Sequence, residues 1–413
     1  MVRNGNSGRA LSQVGCEAGL AEQFLRNLVS TLGFGHITVV MPSGESIEHC
    51  ASKPGPGATL VLHRWRAIWR LITRGDLGFA ESYVDDDWSS PDLAGLIELA
   101  AQNIELIEQR ISGLFPVRIL NRLRHLSRAN TKAGSRQNIA FHYDLGNAFY
   151  RCWLDESMSY SSALYERVGQ TLEEAQEAKL RRVINQLHLR GGERILELGC
   201  GWGALAARMA RRGAQVTGVT VSSEQLVYAR EMIAREGLAD KVMLALNDYR
   251  DVDDEYDRIV SIEMLEAVGE AYWPVYFQTV RDRLKPGGKA VLQVITIDEK
   301  RFESYRSSTD FIQRYVFPGG MLPAKTSIVR EVEAAHLTLT AVETFGESYA
   351  RTLAEWRRRF LASWPRIEAM GFPVSFRRLW EYYLCYCEAA FSAGAIDVGL
   401  YVLSRQGSAH LAG

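Results

Sequence analysis

The stretch Arg194-Ile195-Leu196-Glu197-Leu198-Gly199-Cys200-Gly201-Trp202-Gly203 decides how the rest of the chain reads. Its first half is a short apolar run of strand length. Its second half alternates glycine with other residues before a helical segment begins. Glycines placed there let the backbone approach a ligand and turn into a helix whose first N–H groups face that ligand. A second strand, Gln215-Val216-Thr217-Gly218-Val219, follows at the spacing of a β-α-β unit. A dinucleotide fingerprint would need glycine where Ala204 stands and an acid where Thr220 ends the second strand.

Further apolar runs at Arg258–Ser261 and Lys289–Val294 alternate with helical segments, the pattern of a parallel sheet covered on both faces. The E-x-G-x-G-x-G form of the loop resembles that of class I S-adenosylmethionine-dependent methyltransferases. Beyond the second strand stands Thr220-Val221-Ser222-Ser223-Glu224-Gln225. Ser222 or Ser223 can cap the next helix. Thr220, Val221 and Gln225 can meet the ribose and methionine portions of such a cofactor. Asp248 and Tyr249, after a third strand, suit an adenine.

Upstream, His36–Val40 and Thr59–Leu62 read as short strands, with turns at Pro54-Gly55-Pro56-Gly57. Arg64–Arg74 and Ser90–Gln109 read as helices, the second opening at Ser-Pro-Asp. Between Gln109 and Arg136, Arg110, Arg118, Arg122, Arg124, Arg128, Lys132 and Arg136 occur with no acidic residue among them, interleaved with apolar side chains. That reads as a solvated linker or as a basic amphipathic element on anionic lipid.

A chain of 413 residues has room for two or three domains. With 47% hydrophobic residues it can fill their cores, and a net charge of −1 argues against a globally basic nucleic-acid binder. Cys16, Cys50, Cys152, Cys200, Cys385 and Cys387 form no C-x-x-C pair, so neither a zinc site nor a disulfide framework is expected, and a reducing cytoplasm fits. The polar N-terminus lacks a signal-peptide core, and no run approaches transmembrane length, so membrane contact is expected to be peripheral, at the inner face of the cell membrane.

Taken together, several motifs resemble the cyclopropane-fatty-acyl-phospholipid synthases across essentially the whole chain. They are His142–Tyr150, Met158–Tyr165, Leu198–Gly203, Gly218–Ser222, Asp248–Asp251, Phe317–Gly320, Tyr349–Leu353 and, near the N-terminus, Gly75–Tyr83. The resemblance implies an α/β class I methyltransferase fold, Rossmann-like with a mostly parallel seven-stranded sheet, and a smaller N-terminal α+β lipid-substrate domain. The division expected is a disordered tail (1–15), the lipid-substrate domain (16–108), the basic linker (109–136) and the methyltransferase domain (137–413). It implies methyl transfer from S-adenosylmethionine to a cis double bond in an acyl chain of a membrane phospholipid. Cofactor contacts fall on Tyr160, Ser161, Glu197, Gly199, Gly201, Gly203, Thr220, Val221, Gln225, Asp248 and Tyr249.

The family removes the final proton with a bicarbonate ion held by a Glu, a His, a Tyr and backbone groups around a Cys. Glu266 and Tyr349 match that Glu and Tyr. Ser162 stands for the Cys, Gln293 for the His, and Glu263 for a glycine; Ala267 replaces a further His. These departures leave two bases in play, bicarbonate and Glu263, and two products, a cyclopropane and a methylene- or methyl-branched chain. Two other readings are a methyltransferase for a small soluble substrate and an inactive lipid-binding protein. The sequence leaves monomer or homodimer open.

Overall fold

The computed structural model describes residues 7–111 and 145–407, with the side chains of residues 18–110 and 145–407. The chain divides into two compact units, residues 1–121 with 371–393, and residues 122–370 with 394–413.

The first unit holds a four-stranded sheet of β1 (Phe34–Val40), β2 (Ser46–Cys50), β3 (Lys53–Leu62) and β4 (Trp88–Ser89), in the order β2-β1-β3-β4. Only β1 and β3 run parallel. The Pro54–Gly57 segment, expected as a turn, lies within β3. Its first residues are exposed and the register shifts between Phe34 and His36, an irregular strand end of the kind that tolerates proline.

The N-terminal helix begins at Ser7, so residues 7–15 are helical rather than a disordered tail. Ala21, Leu25, Leu28 and Val29 are buried at helical spacing, and that periodicity outweighs the polar start of the chain. The helix Arg66–Val84 runs ten residues past the expected end at Arg74, because Gly75 absorbs a kink at φ 64°, ψ −149°. Asp92 caps the helix Leu93–Gln102 by accepting the Gly95 N–H at 3.0 Å. Asn103 interrupts the expected helix there. Its buried amide accepts N–H groups of Gly33 and Phe34 and donates to the carbonyls of Phe34 and Leu99.

The helix Val374–Ser392 also belongs to this unit, a correction to the expectation that the methyltransferase domain runs unbroken from residue 137 to 413. Arg378 explains the grouping. It donates to the Tyr83 and Trp88 carbonyls and lies 4.1 Å from the Tyr83 ring centre. Trp88 is fully buried, stacked at 4.3 Å on Phe79 and in edge contact with Tyr382. Such contacts span almost 300 positions, beyond any local pattern.

The second unit is built on a sheet of β5 (Arg194–Leu198), β6 (Gln215–Thr220), β7 (Val242–Leu246), β8 (Tyr256–Ile262), β9 (Leu284–Ile297), β10 (Thr338–Thr344) and β11 (Ile396–Ser404). The order is β10-β11-β9-β8-β5-β6-β7, and β11 alone is antiparallel to its neighbours. The expected mostly parallel, seven-stranded sheet is therefore present. Apolar layers cover both faces. Leu196 and Ile259 meet one layer with Trp273 and Phe277, while Ile195 and Val260 meet the other with Leu180 and Met209. A Thr171–Glu174 capping box starts the helix Leu172–Leu187.

Among the described residues no helix is long and apolar enough to cross a membrane. Of the basic segment, Arg110 lies in the helix Ile104–Ile111. Arg118 to Arg136, like His142–Asp144, fall outside the described residues.

Candidate active site

Parallel strands deliver their C-terminal ends to one edge of the sheet, where open α/β folds gather their chemistry. At the end of β5 the loop glycines Gly199, Gly201 and Gly203 all take left-handed φ, at 76°, 52° and 89°. The Gly199 and Cys200 N–H groups both donate to the Val219 carbonyl at the end of β6. A Cβ on Gly203 would press Ala229 and Met232 at 3.1 Å, so that glycine seats the helices. A Cβ on Gly201 would meet nothing within 4 Å. The backbone there borders open space, as a cofactor cradle requires.

Around the loop, Glu197 is buried with its Oε2 unpartnered, and burial pushes its pKa up to about 8. Thr220 Oγ1 donates to Gln225 Oε1 at 2.9 Å, with Val221 half-buried beside them. Ser222, rather than Ser223, caps the following helix by accepting the Gln225 N–H. The buried Tyr249 hydroxyl has no partner, and its pKa rises to about 12 through burial. The orphaned polar atoms of Glu197 in β5 and of Tyr249 just beyond β7, with the open face at Gly201, fit an adenosine-type ligand. Asp248 is buried and accepts from Arg250 on both carboxylate oxygens, at 2.7 and 2.8 Å. The Ser161 hydroxyl accepts from Lys179 Nζ at 2.8 Å.

Tyr160 stands in an aromatic wall. Its ring centre is 5.4 Å from Tyr150 and from Trp153, and 5.3 Å from Trp356. Tyr150 continues the wall to Trp202 of the glycine loop at 5.2 Å, and Trp356 continues it to Tyr349 at 6.1 Å. The wall therefore runs from the cofactor loop to the acidic end of the site.

That end is set by sheet register. Ile262 of β8 faces Gln293 of β9, and the Glu263 N–H just beyond donates to the Gln293 carbonyl at 2.8 Å. Glu263 then turns at φ 49°, a left-handed value rare outside glycine. Its Oε1 accepts from the Ser162 N–H at 2.8 Å and from Gln293 Nε2 at 2.7 Å. Its Oε2 accepts from the Tyr349 hydroxyl at 2.7 Å. The Glu263 pKa is raised by burial, against the partial opposition of these three donors and the Lys179 charge.

Glu266 accepts the Ile295 N–H at 2.5 Å through Oε1, and its buried Oε2 has no partner. Burial and the neighbouring Glu263 charge push its pKa up to about 8, which favours its protonated form. The structure thus brings the five expected residues together, but in a different arrangement. Ser162, Gln293 and Tyr349 give these hydrogen bonds to the Glu263 side chain, so they do not fit a bicarbonate ion as expected.

Lys179 is a member of the site that the motifs do not mark. It is buried on the helix Leu172–Leu187, and burial lowers its pKa to about 8 while Glu263, Asp155 and Glu197 oppose that fall. Its signal was available, since a lysine on the same helical face as Leu172, Gln176 and Val183 must find a buried partner. Among the described residues no cluster of three or more His, Cys, Asp or Glu is placed to hold a metal.

The fold and this site define a class I S-adenosylmethionine-dependent methyltransferase. The model of the mycolic acid cyclopropane synthetase family matches residues 130–400. The chain is 38% identical over 360 residues to tuberculostearic acid methyltransferase UfaA1 of Mycobacterium tuberculosis, covering 84% of each protein. It is 37% identical over 341 residues to the cyclopropane-fatty-acyl-phospholipid synthase of Escherichia coli, covering 81% of this chain and 85% of that one. The structure of mycolic acid cyclopropane synthase CmaA1 complexed with SAH and CTAB matches with a TM-score of 0.61 at 29% identity, over 65% of this chain and 98% of that one. The chain belongs to the mycolic acid cyclopropane synthetase family, and its cofactor is S-adenosylmethionine.

Replacing Gly201 by Val should weaken S-adenosylmethionine binding at least tenfold. A β-branched residue at φ 52° costs about 1–2 kcal/mol and projects into the open space beside the loop. Calorimetric titration reads the change, and unaltered affinity would remove Gly201 from the cradle.

Proposed function

We propose that the chain methylates a cis double bond inside an unsaturated acyl chain of a membrane phospholipid and closes a cyclopropane there. The observation that carries this reading is the aromatic wall from Trp202 through Tyr150, Tyr160 and Trp356 to Tyr349, ending at a buried carboxylate. S-adenosylmethionine supplies an electrophilic methyl group, and its transfer to an alkene carbon leaves the neighbouring carbon cationic. Ring faces stabilise such a charge without capturing it as water or a hydroxyl would. The buried wall also excludes that water. In this reading the Gly199–Gly203 loop with Thr220 and Gln225 fixes the cofactor, and the wall fixes the chain in line with it.

A second reading, a methylene-branched product, draws on one observation. The donors Ser162, Gln293 and Tyr349 close on a fixed side chain instead of leaving room for a mobile anion. A base fixed at another point can leave time for a hydride shift before the proton departs. The relatives' names differ as well, one a tuberculostearic acid methyltransferase and the other a cyclopropane-fatty-acyl-phospholipid synthase.

The first unit and the basic segment would carry peripheral contact with the inner face of the cytoplasmic membrane. Each Arg near an anionic surface adds about 1 kcal/mol.

Lipids from cells expressing the chain test the reading. Both products add one CH2 and share a mass, so NMR must separate ring protons from exomethylene protons. Unmodified lipids, with turnover on a small soluble acceptor instead, would overturn the proposal.

A further inference from the structure

Glu263 stands out because the chain accepts strain to place it. A non-glycine residue at φ 49° persists only where its surroundings hold it. Here they do so with three neutral donors of different kinds: a backbone N–H, an amide and a phenol. Oε1 receives two of them and Oε2 one, which leaves an acceptor direction on Oε2 beside the Tyr349 hydroxyl. Lys179 supplies compensating positive charge. The second carboxyl, Glu266, takes the Ile295 N–H on Oε1, leaves Oε2 without a partner, and faces the Glu263 charge. Of the two, Glu263 is the one whose three donors and nearby cation favour the ionised form, and Glu266 the one left with an unpartnered oxygen.

We infer that the Glu263 carboxylate is the proton acceptor that ends the reaction, a base carried on the chain itself in a pocket whose donors would otherwise hold a free anion. The inference rests on the acyl-chain methyl transfer proposed above. After transfer, the carbon beside the methylated one is cationic. Glu263 Oε2 takes a proton from the new methyl group. The electron pair of that C–H bond then joins the methyl carbon to the cationic carbon, closing the ring. If a hydride has first moved from the methylated carbon to the cation, the same proton loss leaves a methylene group. The proton rests on Glu263 and passes to solvent before the next turnover.

Such a cation is a very strong acid, so position matters more than basicity. The three donors hold the carboxylate in place and leave a single direction on Oε2 for the proton.

The test compares wild type, Glu263→Gly and Glu263→Gln in carbonate-free buffer, on vesicles of unsaturated phospholipid with S-adenosylmethionine. Wild type should turn over at full rate and gain nothing from added bicarbonate. Glu263→Gly relieves the left-handed φ, so it should fold, and it should lose roughly 10²-fold in turnover. Formate or bicarbonate should restore at least a tenth of that loss by entering between Ser162, Gln293 and Tyr349. Glu263→Gln keeps the pocket filled, so it should lose activity and resist rescue. Full activity of Glu263→Gly without added anion would overturn the inference, as would equal rescue of both variants or no rescue of folded Glu263→Gly. A wild type that transfers no methyl to any unsaturated phospholipid would instead overturn the proposed function, before any variant is measured.

Discussion

Replacing Lys179 by Met should destabilise the second unit by roughly 3–5 kcal/mol and move the acidic limb of the activity profile to higher pH. The stability loss has the physics of a broken buried ion group, where removal of one partner leaves the others uncompensated. Lys179 is the one Lys or Arg among the buried residues described, and the carboxylates that sense its charge are Glu263, Asp155 and Glu197. Its ammonium also donates to Ser161 at 2.8 Å. Methionine matches the length of the stem but offers neither the charge nor the donor.

The pH effect has a definite sign. Positive charge beside a carboxylate favours its ionised form, so removing that charge raises the Glu263 pKa. Glu263 would then be protonated over part of the range where wild type holds it as a base. Activity on unsaturated phospholipid should recover as pH rises and fall away at neutral pH. Chemical unfolding monitored with and without S-adenosylmethionine measures the first effect, and rate against pH measures the second. A variant that is merely less stable, with an unshifted profile, would detach Lys179 from the chemistry.

The glycine loop is legible in the sequence because its function is local. Strand, alternating glycines and helix follow one another without interruption, and β5 begins and ends where the apolar run does. The residues of the acidic end are legible one by one, through the resemblance, but their connections are not. Nothing in the spacing of Glu263, Glu266 and Tyr349 says that the phenol meets Glu263. That follows from the β8–β9 register and from the direction in which the helix Gly346–Ala362 leaves its N-terminus. The left-handed backbone at Glu263 hides in the same way, since glycine announces such a turn and glutamate does not. The helix Val374–Ser392 reads as part of the wrong unit for a related reason. Its amphipathic pattern shows that it covers something, and only Arg378 on the Tyr83 and Trp88 carbonyls shows what.

Stability should fall as pH rises from about 5 to about 8, by an amount of the order of several kcal/mol. Glu197 and Glu266 both have pKa values near 8 in the fold because burial disfavours their charge. In the unfolded chain a glutamate titrates near 4.3. Between those values the folded state holds protons that the unfolded state has released, so rising pH favours unfolding. For each such proton the fold loses about 1.4 kcal/mol per pH unit climbed through this window, and relaxation of the site trims the total. The salt-bridged Glu355, lowered to about 2, acts in the opposite direction but loses its contribution only below about pH 4.5, outside this window. Glu266→Gln should therefore flatten the decline measured by denaturant unfolding at several pH values. The same variant decides the role of Glu266. A carboxylate orienting a bound anion would lose roughly 10² in turnover when amidated. A carboxyl that is already protonated has glutamine as its near-isostere, so the structure implies turnover close to wild type at neutral pH. A steep pH dependence left unchanged by Glu266→Gln would show that its proton is not held as the buried, unpartnered Oε2 requires.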